Sequence, residues 1–71
     1  MALRMNERLA NLTPRELMTL AGTFMTTVEN ESAATAATRA YLFALRGDYD
    51  RAKRLLNNAG LYPGANADAQ A

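Results

Sequence analysis

A glycine–aspartate step at Gly47 and Asp48 constrains this chain more than any other feature, because it separates two helix-like segments by only two residues. Glycine readily takes the left-handed backbone conformation that ends a helix, and an aspartate can accept hydrogen bonds from the free N–H groups that open the next one. A connection this short makes the two helices antiparallel neighbours. The sequence therefore predicts a helical hairpin over residues 33–63, with helices at about 33–46 and 49–59.

Both hairpin helices carry further signals of their packing. The first presents a narrow stripe of small residues at helical spacing, formed by Ala33, Ala37, Ala40 and Ala44. Small side chains let two helix axes approach to about 8 Å, the lower end of the usual range. The second helix is followed by Gly60, which fits the position after a helix end, and by Leu61, which is placed to contact Leu56 in a Schellman cap. Pro63 then prevents the helix from resuming.

The hairpin resembles one tetratricopeptide repeat. The resemblance rests on small and aromatic positions, namely Ala40, Phe43, Gly47, Tyr49, Ala52, Leu56 and Ala59, and the GDYDRA run is its most typical part. Arg39 stands where that family prefers leucine, Ala36 where it prefers tryptophan, and Pro63 comes one residue early. No second copy is visible in the N-terminal half, and such arrays usually need about three repeats. The resemblance implies a single hairpin of this type, although any tight antiparallel hairpin would select similar residues.

The sequence of the N-terminal half predicts a further helix, and its first residue is well marked. Thr13 can act as the N-cap, Pro14 suits the first helical position, and Glu16 completes a capping box. Apolar residues at helical spacing then continue to Val28, so we expect a helix at about 14–29.

The boundaries of this N-terminal helix are less strongly determined. Asn30 and Ser32 are both candidate N-caps for the next helix, and a break is expected before it. Residues 2–11 could form a short extra helix with Leu3, Met5 and Leu9 as contacts, or a frayed arm.

These segments predict an all-α fold, a small three-helix domain with a C-terminal antiparallel helical hairpin. Residues 1–12 would form an N-terminal arm or short helix, residues 13–63 the helical domain, and residues 64–71 a flexible tail without large apolar side chains.

Composition narrows the possible functions. The chain of 71 residues has no cysteine and no histidine, so it can form no disulfide and no zinc site with these ligands. It also lacks a glycine-rich phosphate loop and the usual nucleophile–base pairs. We therefore expect a non-enzymatic protein without catalytic residues, metal or cofactor.

Charge and hydropathy constrain the partners. The formal charge of +1 is spread among interspersed acidic and basic residues, which disfavours a nucleic-acid partner. No stretch approaches the roughly 20 apolar residues of a membrane span, so no membrane interaction and a cytoplasmic location are expected.

One surface is the candidate binding site. Leu42 lies opposite the alanine stripe, Arg39 and Arg46 flank it at three residues before and four residues after, and Leu45 borders it. We call these four residues the Leu42 face. An apolar centre surrounded by arginine is typical of an interface, although the N-terminal helix or the arm could instead cover Leu42 within the monomer.

Three functions are compatible with this sequence. The first is a protein–protein interaction module, such as an adaptor, co-chaperone or inhibitor, which binds a protein partner or self-associates into a homo-oligomer. The second is a small nucleic-acid-binding regulator that contacts phosphates through Arg51, Lys53 and Arg54. The third is a structural subunit of a larger assembly, such as a virion or a secretion apparatus.

Overall fold

The computed structural model describes residues 4–64, and this part of the chain contains four α-helices and no strand. They are α1 (Glu7–Ala10), α2 (Pro14–Thr27), α3 (Glu31–Leu45) and α4 (Tyr49–Asn58). The most extensive packing joins α2 to α3 and α3 to α4, whereas α1 rests on α4. The predicted all-α fold is confirmed, and α1 is the extra short N-terminal helix that the sequence left open.

The C-terminal ends of the two hairpin helices, α3 and α4, have the predicted glycine caps. Gly47 and Gly60 have φ angles of 85° and 74°, in the left-handed region. After α3, the Asp48 N–H donates to the Phe43 carbonyl at 3.0 Å; after α4, the Leu61 N–H donates to the Leu56 carbonyl at 2.8 Å. These are the long hydrogen bonds of Schellman caps, so local sequence fixes where both helices stop.

The start of α2 is also as predicted. The Thr13 N–H donates to Glu16 Oε1 at 2.9 Å, and the Glu16 N–H donates to Thr13 Oγ1 at 3.2 Å, which completes the capping box. Pro14 occupies the first helical position, where its missing N–H costs nothing.

The break between α2 and α3 is present, but both helices differ slightly from the predicted bounds. Val28 already has extended backbone, with ψ of 126°, so α2 ends at Thr27 rather than residue 29. Asn30 is the N-cap and accepts a hydrogen bond from the Ala33 N–H at 2.9 Å, so α3 begins at Glu31 rather than residue 33. The helices α3 and α4 each end one residue before the predicted position.

The core lies where α2, α3 and α4 meet. The alanine stripe supplies three of its members, Ala37, Ala40 and Ala44, each at most 2% exposed. Larger side chains come from the neighbouring elements, namely Leu17 and Phe24 of α2, Leu56 of α4, and Leu61. Small residues on α3 thus accept bulky ones from both sides, as the stripe predicted.

The N-terminal segment belongs to this core. Leu9 is fully buried although α1 has only four residues, so the described part of this segment, residues 4–12, packs against the helical domain. The Asn6 N–H donates to Asn57 Oδ1 at 2.9 Å, and Asn57 Nδ2 donates to the Arg4 carbonyl at 3.2 Å. Lys53 Nζ donates to the Ala10 carbonyl at 2.8 Å. These contacts hold α1 against α4 through two polar side chains of α4, Asn57 and Lys53.

The predicted flexible tail, apart from Gly64, and residues 1–3 of the predicted arm lie outside the described residues.

Candidate protein-interaction surface

The Leu42 face is solvent-exposed in the folded chain. Leu42 is 51% exposed and Leu45 is 55% exposed, and these are the exposed large hydrophobic side chains of residues 4–64. Arg39 and Arg46 are exposed as well. Neither α1, which packs on α4, nor α2, which packs on α3, covers this face, because Leu42 remains 51% exposed. The alternative in which the N-terminal segment buries Leu42 is therefore wrong for the described residues.

The regular geometry of α3 explains why these side chains cluster. Residues three and four apart are neighbours on a helix, so Leu42 adjoins Arg39, Leu45 and Arg46. Residues 39 and 46 are two turns apart, which corresponds to a rise of about 10.5 Å along the axis. Because the opposite side of the helix is occupied by the buried alanines, the leucines can only point outward.

A shallow depression of about 110 Å³ lies on this face. Its lining residues are Arg39, Leu42, Phe43 and Arg46. Three of the four residues predicted for the surface thus surround one concavity. Leu45 is not among the lining residues, and it extends the apolar area next to the depression on the same helix.

Phe43 is the member of this surface that the sequence did not identify. It is partly buried in the fold. In the structure the guanidinium carbon of Arg51 lies 5.3 Å from the centroid of the Phe43 ring, within the range of a cation–π interaction. Helix geometry was the available signal, since Phe43 lies four residues after Arg39 and three before Arg46. The contact with Arg51 had no such signal, because it depends on how α4 folds back.

The charge of the face is positive and in part uncompensated. Arg51 is paired with Asp48, with 3.5 Å between Nε and Oδ2. In contrast, residues 4–64 place no carboxylate oxygen within 4.0 Å of the guanidinium groups of Arg39 and Arg46. The face therefore combines half-exposed leucine side chains with two cationic groups that have no ion-pair partner among the described residues.

A second concavity lies along α2. It has a volume of about 520 Å³ and mainly apolar walls, and its lining residues are Leu12, Arg15, Glu16, Thr19, Leu20, Thr23, Phe24 and Gly64. Phe24, one of the lining residues, is a core residue that is only 4% exposed, so this groove borders the core rather than presenting a protruding apolar centre. The sequence did not indicate this groove, because its lining residues extend from Leu12 to Gly64 and come together only in the folded chain.

The carboxylate of Glu16 belongs to the capping box of α2. Glu16 accepts the hydrogen bond from the Thr13 backbone and also pairs with the Thr13 side chain, and these bonds hold the pKa of Glu16 below its ordinary value of 4.5. A capping role accounts for this shift. Residues 4–64 bring together no group of three or more carboxylates that could hold a metal ion. None of the helices in this range combines the length and apolar character that a membrane span needs.

No family model, curated protein or solved structure shows significant similarity to this chain.

Proposed function

We propose that this chain is a non-enzymatic protein-interaction module, acting as a small adaptor, co-chaperone or inhibitor, which docks a protein partner or a second copy of itself through the Leu42 face. The observation that carries the proposal is the exposure of Leu42 and Leu45, at 51% and 55%. Burying the remaining exposed surface of each leucine against a partner would contribute about 1 kcal/mol to the free energy of binding. An apolar centre with arginine at its edge is the composition that interface centres favour.

The fold supports this use of the surface. The buried side of α3 and the ends of its hairpin are fixed by close packing and by Schellman caps, so the outward side is presented on a rigid element. Rigid presentation lowers the entropic cost of binding. We include in the proposal that residues 33–63 form a single hairpin like that of a tetratricopeptide repeat. The burial of Ala40 and Ala52, both fully enclosed, is the observation that favours it.

The basic residues of α4 favour a protein partner over nucleic acid. Lys53 donates to the Ala10 carbonyl, and Arg51 is shared between Asp48 and the Phe43 ring. Two of the three side chains that would contact phosphates in a nucleic-acid-binding regulator are thus engaged within the chain. A chain without cysteine also has no need of an oxidising compartment, which is consistent with the cytoplasmic location we propose.

The test is a charge placed at the centre of the face. We expect Leu42→Asp to abolish association while α-helical circular dichroism stays close to that of the parent chain, because the side chain is already half-exposed. Molecular mass measured by sedimentation, alone and after capture from the native host, reports the association. Ser32→Asp is the control, since it adds the same charge to the exposed first turn of α3, away from the face. If Leu42→Asp associates as the parent does, the Leu42 face is not the docking surface.

A further inference from the structure

The Leu42 face has an asymmetry that bears on what it can bind. At about 100° per residue, Arg39 and Arg46 project on the same side of Leu42, about 60° and 40° around the helix. Phe43 lies farther around on that side, as its place in the shared depression also shows. Leu45 projects about 60° to the other side. The face therefore has leucine side chains at its centre and on one side, and a cationic edge, formed by Arg39 and Arg46, on the other side only.

This asymmetry disfavours a symmetric dimer. In an antiparallel two-fold pairing centred on Leu42, Arg39 of one chain would lie opposite Arg46 of the other, because the two residues are three before and four after the centre. Like charges placed together at an interface are costly. In a parallel two-fold pairing, the cationic edge would face the Leu45 edge. That edge carries no charge, so Arg39 and Arg46 would gain no ion-pair partner.

The unpaired cations point instead to carboxylates on the partner. Resting on the proposed function, we infer that the Leu42 face binds an amphipathic helix of another protein that carries two acidic residues seven positions apart, with leucine-like residues between them. Such a helix would set its apolar residues on Leu42 and Leu45. Its carboxylates would lie along the edge formed by Arg39 and Arg46, since two turns of both helices have the same rise of about 10.5 Å. Arginine can donate two parallel hydrogen bonds to one carboxylate, which adds geometric selectivity.

A charge-swap titration tests this inference with defined probes. The full chain, labelled with ¹⁵N, is titrated with a helix-stabilised peptide of about 15 residues that carries the two glutamates and intervening leucines. A second peptide has lysine in place of both glutamates. We expect the acidic peptide to shift the backbone amide signals of α3 around residues 39–46 and to bind about tenfold more tightly than the lysine peptide, with the difference decreasing as salt is added.

The double variant Arg39→Glu/Arg46→Glu should reverse the preference between the two peptides. Both positions are exposed, so the variant is expected to fold, and its helical circular dichroism checks this. Arg54→Glu is the control, because Arg54 is an exposed residue of α4 outside the Leu42 face; it should leave the preference for the acidic peptide in place. Equal binding of the two peptides, no binding, or an unchanged preference in the double variant would each overturn the inference.

The remaining outcomes separate this inference from the proposed function. If the chain alone sediments as a dimer and Leu42→Asp makes it monomeric, the Leu42 face docks protein but its occupant is a second copy, so only the inference fails. If the acidic peptide shifts the signals of the α2 groove instead of α3, both fail. Binding of a short DNA duplex at the same amides, in preference to the acidic peptide, would also overturn both.

Discussion

Leu9 and Leu42 differ in burial in a way that the length of their helices does not predict. Leu9 belongs to a helix of four residues and is fully buried, whereas Leu42 lies within the 15-residue helix α3 and is 51% exposed. The difference shows that helix regularity and burial are decided separately. Burial depends on which surfaces meet in the tertiary structure, and α3 uses alanines for its inward side because α2 and α4 approach it closely.

The largest expected effect is the loss of stability on replacing Leu9 by alanine, compared with the same replacement at Leu42. Leu9→Ala should destabilise the fold by about 2–5 kcal/mol, because it removes a fully buried side chain and leaves a cavity in the core. Leu42→Ala should change stability by no more than about 0.5 kcal/mol, because that side chain is already half in water. Urea denaturation followed by circular dichroism measures both. Similar losses at the two sites would show that the N-terminal segment is not part of the core.

A second, smaller effect should come from the amide that holds the N-terminal segment. Asn57→Ala removes the hydrogen bonds to Asn6 and Arg4, and we expect a loss of about 1–3 kcal/mol with faster hydrogen exchange of the amides of α1. Asn58→Ala is the matched control, since the adjacent asparagine is exposed and should have little effect. Equal exchange rates in the two variants would mean that this amide does not hold α1.

The ammonium of Lys53 makes a weaker contribution to the same contact. Lys53→Met keeps most of the aliphatic length but loses the hydrogen bond to the Ala10 carbonyl, and we expect a loss of about 0.5 kcal/mol. Arg54→Met on the same helix serves as the reference, because Arg54 is exposed. Thermal unfolding of the pair should show the Lys53 variant melting at the lower temperature; the reverse order would contradict the assigned contact.

The smallest effect concerns pH and the start of α2. The pKa of Glu16 is lowered in the folded chain, so the unfolded chain binds more protons at acidic pH. The capping contribution should be complete above about pH 4.5 and be lost as the pH falls through the lowered pKa of Glu16. Hydrogen exchange at the first turn of α2 should increase over that window, and Glu16→Gln should remove most of the increase. An identical increase in the variant would assign the effect to another carboxylate.

Much of the helical framework could be predicted because its signals are local. The capping box at Thr13 and the left-handed glycines at residues 47 and 60 each depend on hydrogen bonds spanning no more than five residues. The errors were also local in origin. The prediction of α3 missed its start by two residues because Asn30 and Ser32 were both candidate N-caps. The extended backbone of Asn30 and the hydrogen bond that its side chain accepts from the Ala33 N–H decide for Asn30.

The candidate surface was predictable only in part. The spacing of Arg39, Leu42 and Arg46 on one side of α3 follows from helix geometry. The cation–π contact of Phe43 does not, because it depends on Arg51 reaching back from α4.

By itself the sequence determined where three of the helices lie, how the hairpin turns, and that alanines line its inner side. Only the tertiary structure decided that Leu9 is enclosed, that Asn57 holds the N-terminal segment, and that Leu42 and Leu45 stay exposed. The physical reason is distance along the chain: caps join residues within one or two turns, whereas the contacts of Asn57 join residues 51 and 53 positions apart. No periodic pattern specifies such pairs, because they exist only once the helices have packed.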